Sequence, residues 1–78
     1  MPTALVCITT DFDSSGEVLS KLRACEGVEE AFMVHGVYDI IAKVNGDTLE
    51  TVKQTVTEKI KKMGSVQKTL TMMVAEAV

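Results

Sequence analysis

Within this chain of 78 residues, one short stretch gathers side chains able to do chemistry. His35-Gly36-Val37-Tyr38-Asp39 places an imidazole, a turn glycine, a phenol and a carboxylate together, directly before the apolar run Ile40-Ile41-Ala42. A carboxylate there faces either water at the end of a sheet or a specific cationic partner, because burying it unpaired is costly. Two readings follow from the residues alone. Either Asp39 satisfies turn amides while Tyr38 packs at a rim, or the stretch receives a polar ligand.

Other chemistries fare worse. His35 is the only histidine, and neither Cys7 nor Cys25 stands at a zinc-ligand spacing from it, so neither a metal nor another cofactor is expected. Both cysteines lie in apolar stripes that disfavour a thiolate; buried reduced thiols are expected rather than nucleophiles, and an enzyme is not. Gly16, Gly27, Gly36, Gly46 and Gly64 stand apart, so no phosphate-binding loop forms. A net charge of −3 and only three aromatics (Phe12, Phe32, Tyr38) argue against direct nucleic-acid binding. Asp11, Asp13, Glu29 and Glu30 read as solvated. Met1-Pro2-Thr3 carries no basic leader, and no apolar run approaches the roughly 18 residues of a membrane span, so a cytoplasmic protein without a membrane partner is expected.

The elements that must position the stretch alternate regularly. Ala4 to Thr10 is a partly β-branched apolar run, suited to a buried strand. Ser14 and Glu17 stand in capping-box relation, and Val18, Leu19, Leu22 and Cys25 recur at helical spacing before Gly27. Val28 to Val34 reads as a second strand, with Val28, Phe32 and Val34 on one side and Ala31 and Met33 on the other. His35-Gly36 supplies a turn, and Tyr38 to Val44 forms the returning strand of a hairpin. Asp47 and Glu50 offer a second cap for a helix through Leu49, Val52, Val56, Ile60 and Met63, with Gly64 placed to end it. Val66 to Val74 is the last strand, leaving a tail of 75–78. One domain over residues 1–78 is expected.

Strand-helix-strand therefore occurs twice. Right-handed crossovers joined by a central hairpin give an α+β, ferredoxin-like βαββαβ fold, with antiparallel sheet order 4-1-3-2 and both helices on one face. The adjacent pairs Val6/Cys7, Phe32/Met33, Ile40/Ile41 and Met72/Met73 then put apolar side chains on both faces. A small chain buries only about 60–65% of its unfolded surface, so a second copy packed on the bare face is expected, dimerising through the sheet.

The string Val34-His35-Gly36-Val37-Tyr38-Asp39-Ile40, followed one helix later by Val66-Gln67-Lys68-Thr69-Leu70-Thr71, resembles the effector-binding (RAM, regulation of amino acid metabolism) domain of the Lrp/AsnC family. There a V-x-G-x-Y-D-hydrophobic stretch precedes V-x-x-T-x-T, and the resemblance spans essentially the whole chain. It implies dimers that assemble into rings and an amino-acid effector bound between dimers. Family members of ordinary length carry a helix-turn-helix domain ahead of this module, and nothing of that kind fits before Thr3, so the chain resembles a stand-alone form. The matching positions imply ligand binding by Gly36, Tyr38, Asp39, Thr69 and Thr71. Asp39 would accept from the ammonium group, while amides near Gly36 and the three hydroxyls would serve the carboxylate. His35 joins them, although it stands where the family pattern favours an aromatic, which leaves side-chain selectivity open. Two other classes stay open: an interaction module that co-assembles with full-length Lrp/AsnC regulators without a ligand, and a small dimeric enzyme using His35 and Asp39.

Overall fold

The computed structural model describes residues 2–75, so positions 76–78 of the expected tail lie outside the described residues. The elements run β1 (Thr3–Thr10), α1 (Ser15–Arg23), β2 (Val28–Met33), β3 (Ile40–Asn45), α2 (Leu49–Gln54) with a π-helical continuation Thr55–Ile60, and β4 (Val66–Met73). Every strand pair is antiparallel, in the order β2-β3-β1-β4. Read from the other edge this is 4-1-3-2, the expected ferredoxin-like βαββαβ arrangement.

Strand alternation divides the side chains as the sequence requires. Ala4, Val6 and Ile8 of β1 and Ile40, Ala42 and Val44 of β3 are buried with Val18 and Leu22 of α1 and Val52, Val56 and Ile60 of the second helix. Each large member contributes about 1.5–3 kcal/mol by leaving water. The intervening residues point to the open face. There Phe32, Ile41, Cys7 and Leu70 are register partners in a single row across all four strands, with Leu5 and Met72 paired beside them. Cys7, at the centre of that row, is buried, whereas Phe32, Leu70 and Met72 each remain more than two-fifths exposed.

Several local expectations are corrected. The hairpin connection is the six-residue segment 34–39, and β3 starts at Ile40 rather than Tyr38. The base of the segment is closed by Asp39, whose amide donates to Ile8 O (2.9 Å) and whose carbonyl accepts from Val34 N (3.0 Å). A bulge between Val28 and Glu30 sets Val28 opposite Val44 on the helix side, not beside Phe32. Ser14 makes no side-chain cap, its backbone being near-helical (φ −105°, ψ 0°) rather than extended, and Glu17 pairs with Lys21 (3.2 Å) instead of reaching back. The second helix is capped by Thr48, whose hydroxyl accepts from Thr51 N (3.1 Å), one residue after Asp47. It ends at Ile60, so Gly64 lies beyond it. Cys25 is half-buried rather than buried.

The π-helical stretch had no signature in the sequence. Lys61 N donates to Val56 O (2.9 Å), five residues back, while Thr55 is buried and its hydroxyl donates to Thr51 O (3.1 Å). Gly27, at φ 98°, lies so close over Thr55 that a Cβ there would stand 3.0 Å from Thr55 Oγ1. Glycine is thus required by both conformation and space.

Candidate functional site

Segment 34–39 is anchored at one end of the sheet by its last residue. Asp39 Oδ2 accepts from Thr10 N (2.8 Å), with Thr10 Oγ1 at 3.4 Å, and that hydroxyl lies 2.9 Å from Ser15 Oγ at the start of α1. One carboxylate oxygen therefore ties the hairpin to the β1–α1 junction. The amide it satisfies belongs to Thr10, not to the turn, and the bond is charge-assisted. Thr10 is buried, and nothing in its sequence context distinguished it from any other strand-end threonine.

The rest of the stretch is open. His35 and Gly36 are exposed, Tyr38 and Asp39 half-buried. Gly36 sits at φ 141°, a conformation side chains rarely adopt, and an added Cβ would meet nothing within 4 Å. Its amide and those of its neighbours thus line a loop that a ligand can approach.

Thr69 and Thr71 lie elsewhere. Both occupy the helix side of β4, with Thr69 paired to Ile8 and Thr71 to Val6. Ile8 is also the partner of Ile40, so β1 stands between Asp39 and Thr69. Two strand spacings place the two motifs about 10 Å apart in one chain. Gly36, Tyr38 and Asp39 share segment 34–39 through their sequence positions, and Thr69 and Thr71 stand across β1 from it.

Two open depressions flank β4. One, of about 470 Å³, is lined by Lys61, Val66, Gln67, Lys68 and Thr69. The other, of about 330 Å³, runs between the second helix and β4 and is lined by Val52, Lys53, Val56, Thr57, Lys61, Thr71 and Met73. Neither His35 nor Asp39 lines either one. Among the described residues no cluster of histidine, cysteine and carboxylate side chains could hold a metal ion, and no helix is long and apolar enough to cross a membrane.

The Glu29 carboxylate is held by two neighbours. Asn45 Nδ2 donates to Glu29 Oε1 (2.6 Å), and Lys43 Nζ approaches the same oxygen at 3.5 Å. The amide first, and the ammonium second, hold the Glu29 carboxyl below the usual glutamate range. These groups sit on the exposed sheet near the β2 edge, away from segment 34–39, and serve to fasten the bulge.

Comparison with known proteins agrees with this geometry. The family model for the Lrp/AsnC ligand binding domain matches residues 3–78. An uncharacterised HTH-type transcriptional regulator of Pyrococcus furiosus is 37% identical over 73 residues, covering 90% of this chain and 49% of that protein. The chain thus spans about half the length of this curated relative. The crystal structure of FFRP-DM1 superposes with a TM-score of 0.92 at 44% identity, covering 96% of this chain and all of that one. A hypothetical protein from Pyrococcus horikoshii superposes with a TM-score of 0.91 at 43% identity, covering 99% and 93% of the two chains. With the V-x-G-x-Y-D stretch in the connection between β2 and β3, the V-x-x-T-x-T stretch on β4, and the family model matching nearly end to end, this chain belongs to the Lrp/AsnC ligand-binding-domain family.

Proposed function

We propose that this chain is an effector-sensing, oligomerising module of Lrp/AsnC-type transcription regulation, taking an amino acid at a junction between copies. The observation that carries this is the separation of the two motifs. Segment 34–39 offers a carboxylate and free loop amides, β4 offers two hydroxyls, and β1 keeps them apart within one chain. A second copy can set the β4 of one chain against the loop of another.

The roles follow from the chemistry of a zwitterion. Asp39 uses Oδ2 on Thr10 N, which orients Oδ1 to accept from the ligand's ammonium group. Amides around Gly36, the hydroxyls of Tyr38, Thr69 and Thr71, and the adjacent His35 serve the carboxylate. A Neisseria meningitidis transcriptional regulator that shares the fold (14% identity, TM-score 0.85) was crystallised as an L-Met complex, which supports an amino acid as the ligand class. The apolar row Phe32-Ile41-Cys7-Leu70 supplies the other contact, a two-fold pairing of open sheet faces. The site of action is cytoplasmic, beside the genes such regulators control.

Sensing then works through assembly. An amino acid that binds one arrangement of copies better than another shifts the balance toward it. A shift of about 2–3 kcal/mol requires roughly 30- to 150-fold tighter binding to the favoured arrangement. Calorimetric titration with each of the common amino acids tests this: at least one binds the parent, and Asp39→Ala loses it. Absence of binding by all of them, or unchanged binding in Asp39→Ala, refutes the reading.

A second reading, co-assembly with longer regulators without a ligand, is favoured by the 37% identity to a regulator of which this chain spans only part. Subunit exchange with such a regulator in amino-acid-free buffer is the discriminating measurement.

A further inference from the structure

We infer that the amino acid taken at the junction between copies is an acidic one, its side-chain carboxylate held by Lys61 and Lys68. This rests on the junction reading above and names the class of ligand. The depression of about 470 Å³ beside β4 contains Thr69, one of the hydroxyls offered to the ligand, together with Lys61, Val66, Gln67 and Lys68. Two ammonium groups and a hydroxyl thus border one hollow, a donor set suited to an anion. Neither lysine is already committed. Among the described residues Lys21 pairs with Glu17 and Lys43 with Glu29, whereas Lys61 and Lys68 are exposed and in no ion pair. The neighbouring depression shares Lys61, adds Lys53, and likewise has no carboxylate among its lining residues. Asp11 touches a lining residue, but its Oδ1 accepts from Gln67 Nε2 (2.8 Å) and it pairs with neither lysine. Like charges bordering one hollow repel, and an anion between them relieves the repulsion.

Charge then selects among amino acids. The hairpin segment brings one carboxylate, Asp39, which takes the ammonium group that every amino acid carries. The α-carboxylate, served by loop amides and hydroxyls, neutralises only one of the two lysines. A neutral side chain leaves the other uncompensated, and a cationic one adds to the excess. A second carboxylate on the ligand removes it. Where another copy covers the hollow, screening by water falls and each of these pairings strengthens. Both lysines have long, flexible stems and rotatable donors, so they follow a carboxylate on a shorter or a longer side chain, and the class is aspartate and glutamate.

Calorimetric titration of the full chain at fixed ionic strength with L-aspartate, L-glutamate, L-asparagine, L-glutamine, L-leucine and L-lysine tests this. At least one acid binds about ten-fold or more tightly than its own amide, which has nearly the same shape and lacks the charge. Lys61→Gln and Lys68→Gln each bring the acid-to-amide ratio toward one. Lys62→Gln removes the same unit of charge from a residue that lines neither depression, and it leaves the ratio unchanged. An amide bound as tightly as its acid, or a neutral or cationic amino acid preferred to both acids, overturns the inference. A ratio unmoved by Lys61→Gln and Lys68→Gln, or lowered equally by Lys62→Gln, overturns it too. All four results leave amino-acid binding at the junction standing, whereas binding of no amino acid overturns that reading and this one together.

Discussion

Leu70→Lys is the sharpest perturbation of the sheet-face pairing. Leu70 ends the apolar row on the edge strand β4 and is 47% exposed in the single chain. Covering the remaining half of a side chain whose full burial contributes about 1.5–3 kcal/mol adds ~1 kcal/mol per copy, or ~2 kcal/mol across a two-fold pair. Truncation in Leu70→Ala should therefore weaken the dimer about 30-fold. Lysine goes further, because two ammonium groups would be enclosed without partners, which costs several kcal/mol more. In the monomer the substitution is benign, since lysine is well tolerated on an exposed edge strand. Sedimentation equilibrium at micromolar concentration should show a dimer for the parent, a weakened dimer for Leu70→Ala and a folded monomer for Leu70→Lys, with circular dichroism verifying the fold. An undiminished dimer in Leu70→Lys would mean that the open face is not the interface.

Other outcomes follow from particular contacts. Asp39→Ala leaves the Thr10 amide without its charged acceptor and should lower stability by about 1.5–3 kcal/mol in urea unfolding, whereas Asp39→Asn keeps an acceptor and should cost about 1 kcal/mol or less; equal losses would contradict the tie to β1. Gly36→Ala meets only backbone strain, about 1 kcal/mol, while Gly27→Ala adds a collision with Thr55 and should cost more by the same assay, the reverse order being the contrary result. Glu29 has a folded pKa below its unfolded one, so its contribution is present above the ordinary glutamate range and is lost as pH falls through the lowered value. Stability curves of the parent and Glu29→Gln should therefore converge in acid and separate toward neutral pH, and parallel curves would remove the Asn45 and Lys43 contacts from the account.

How far the sequence foretold the molecule depended on the range of each interaction. Sheet order and the two-faced strands were legible because β alternation is local and the crossover rules leave few topologies; Val6 against Cys7 and Ile40 against Ile41 point to opposite faces as their spacing requires. How the hairpin connection is fastened was not, because Asp39 at its end bonds to Ile8 and Thr10, about thirty residues earlier. The bulge at Val28–Glu30 hid for the same reason, its fastening residues being Lys43 and Asn45 on the neighbouring strand. Caps shifted by one residue where threonine competed with aspartate, at Thr48 against Asp47. The π-helical stretch escaped because Val52, Val56 and Ile60 recur every four residues, a spacing also compatible with an ordinary α-helix.

The candidate site divides along the same line. Its hairpin half was readable as a compact string of unlike polar groups, because those residues are consecutive in the chain. Thr10, which holds Asp39, carries no local signal. That β1 intervenes between Asp39 and Thr69 emerges only from the strand order.

The proposed function requires an amino acid bound where two copies meet. A crystal structure of the assembled protein grown with the amino acid selected by calorimetry tests it most directly. The ligand's ammonium group is expected against Asp39 of one copy and its carboxylate reached by Thr69 or Thr71 of another, with the Phe32-Ile41-Cys7-Leu70 rows packed together. A ligand held wholly within one chain, or open sheet faces bathed in solvent, would contradict it.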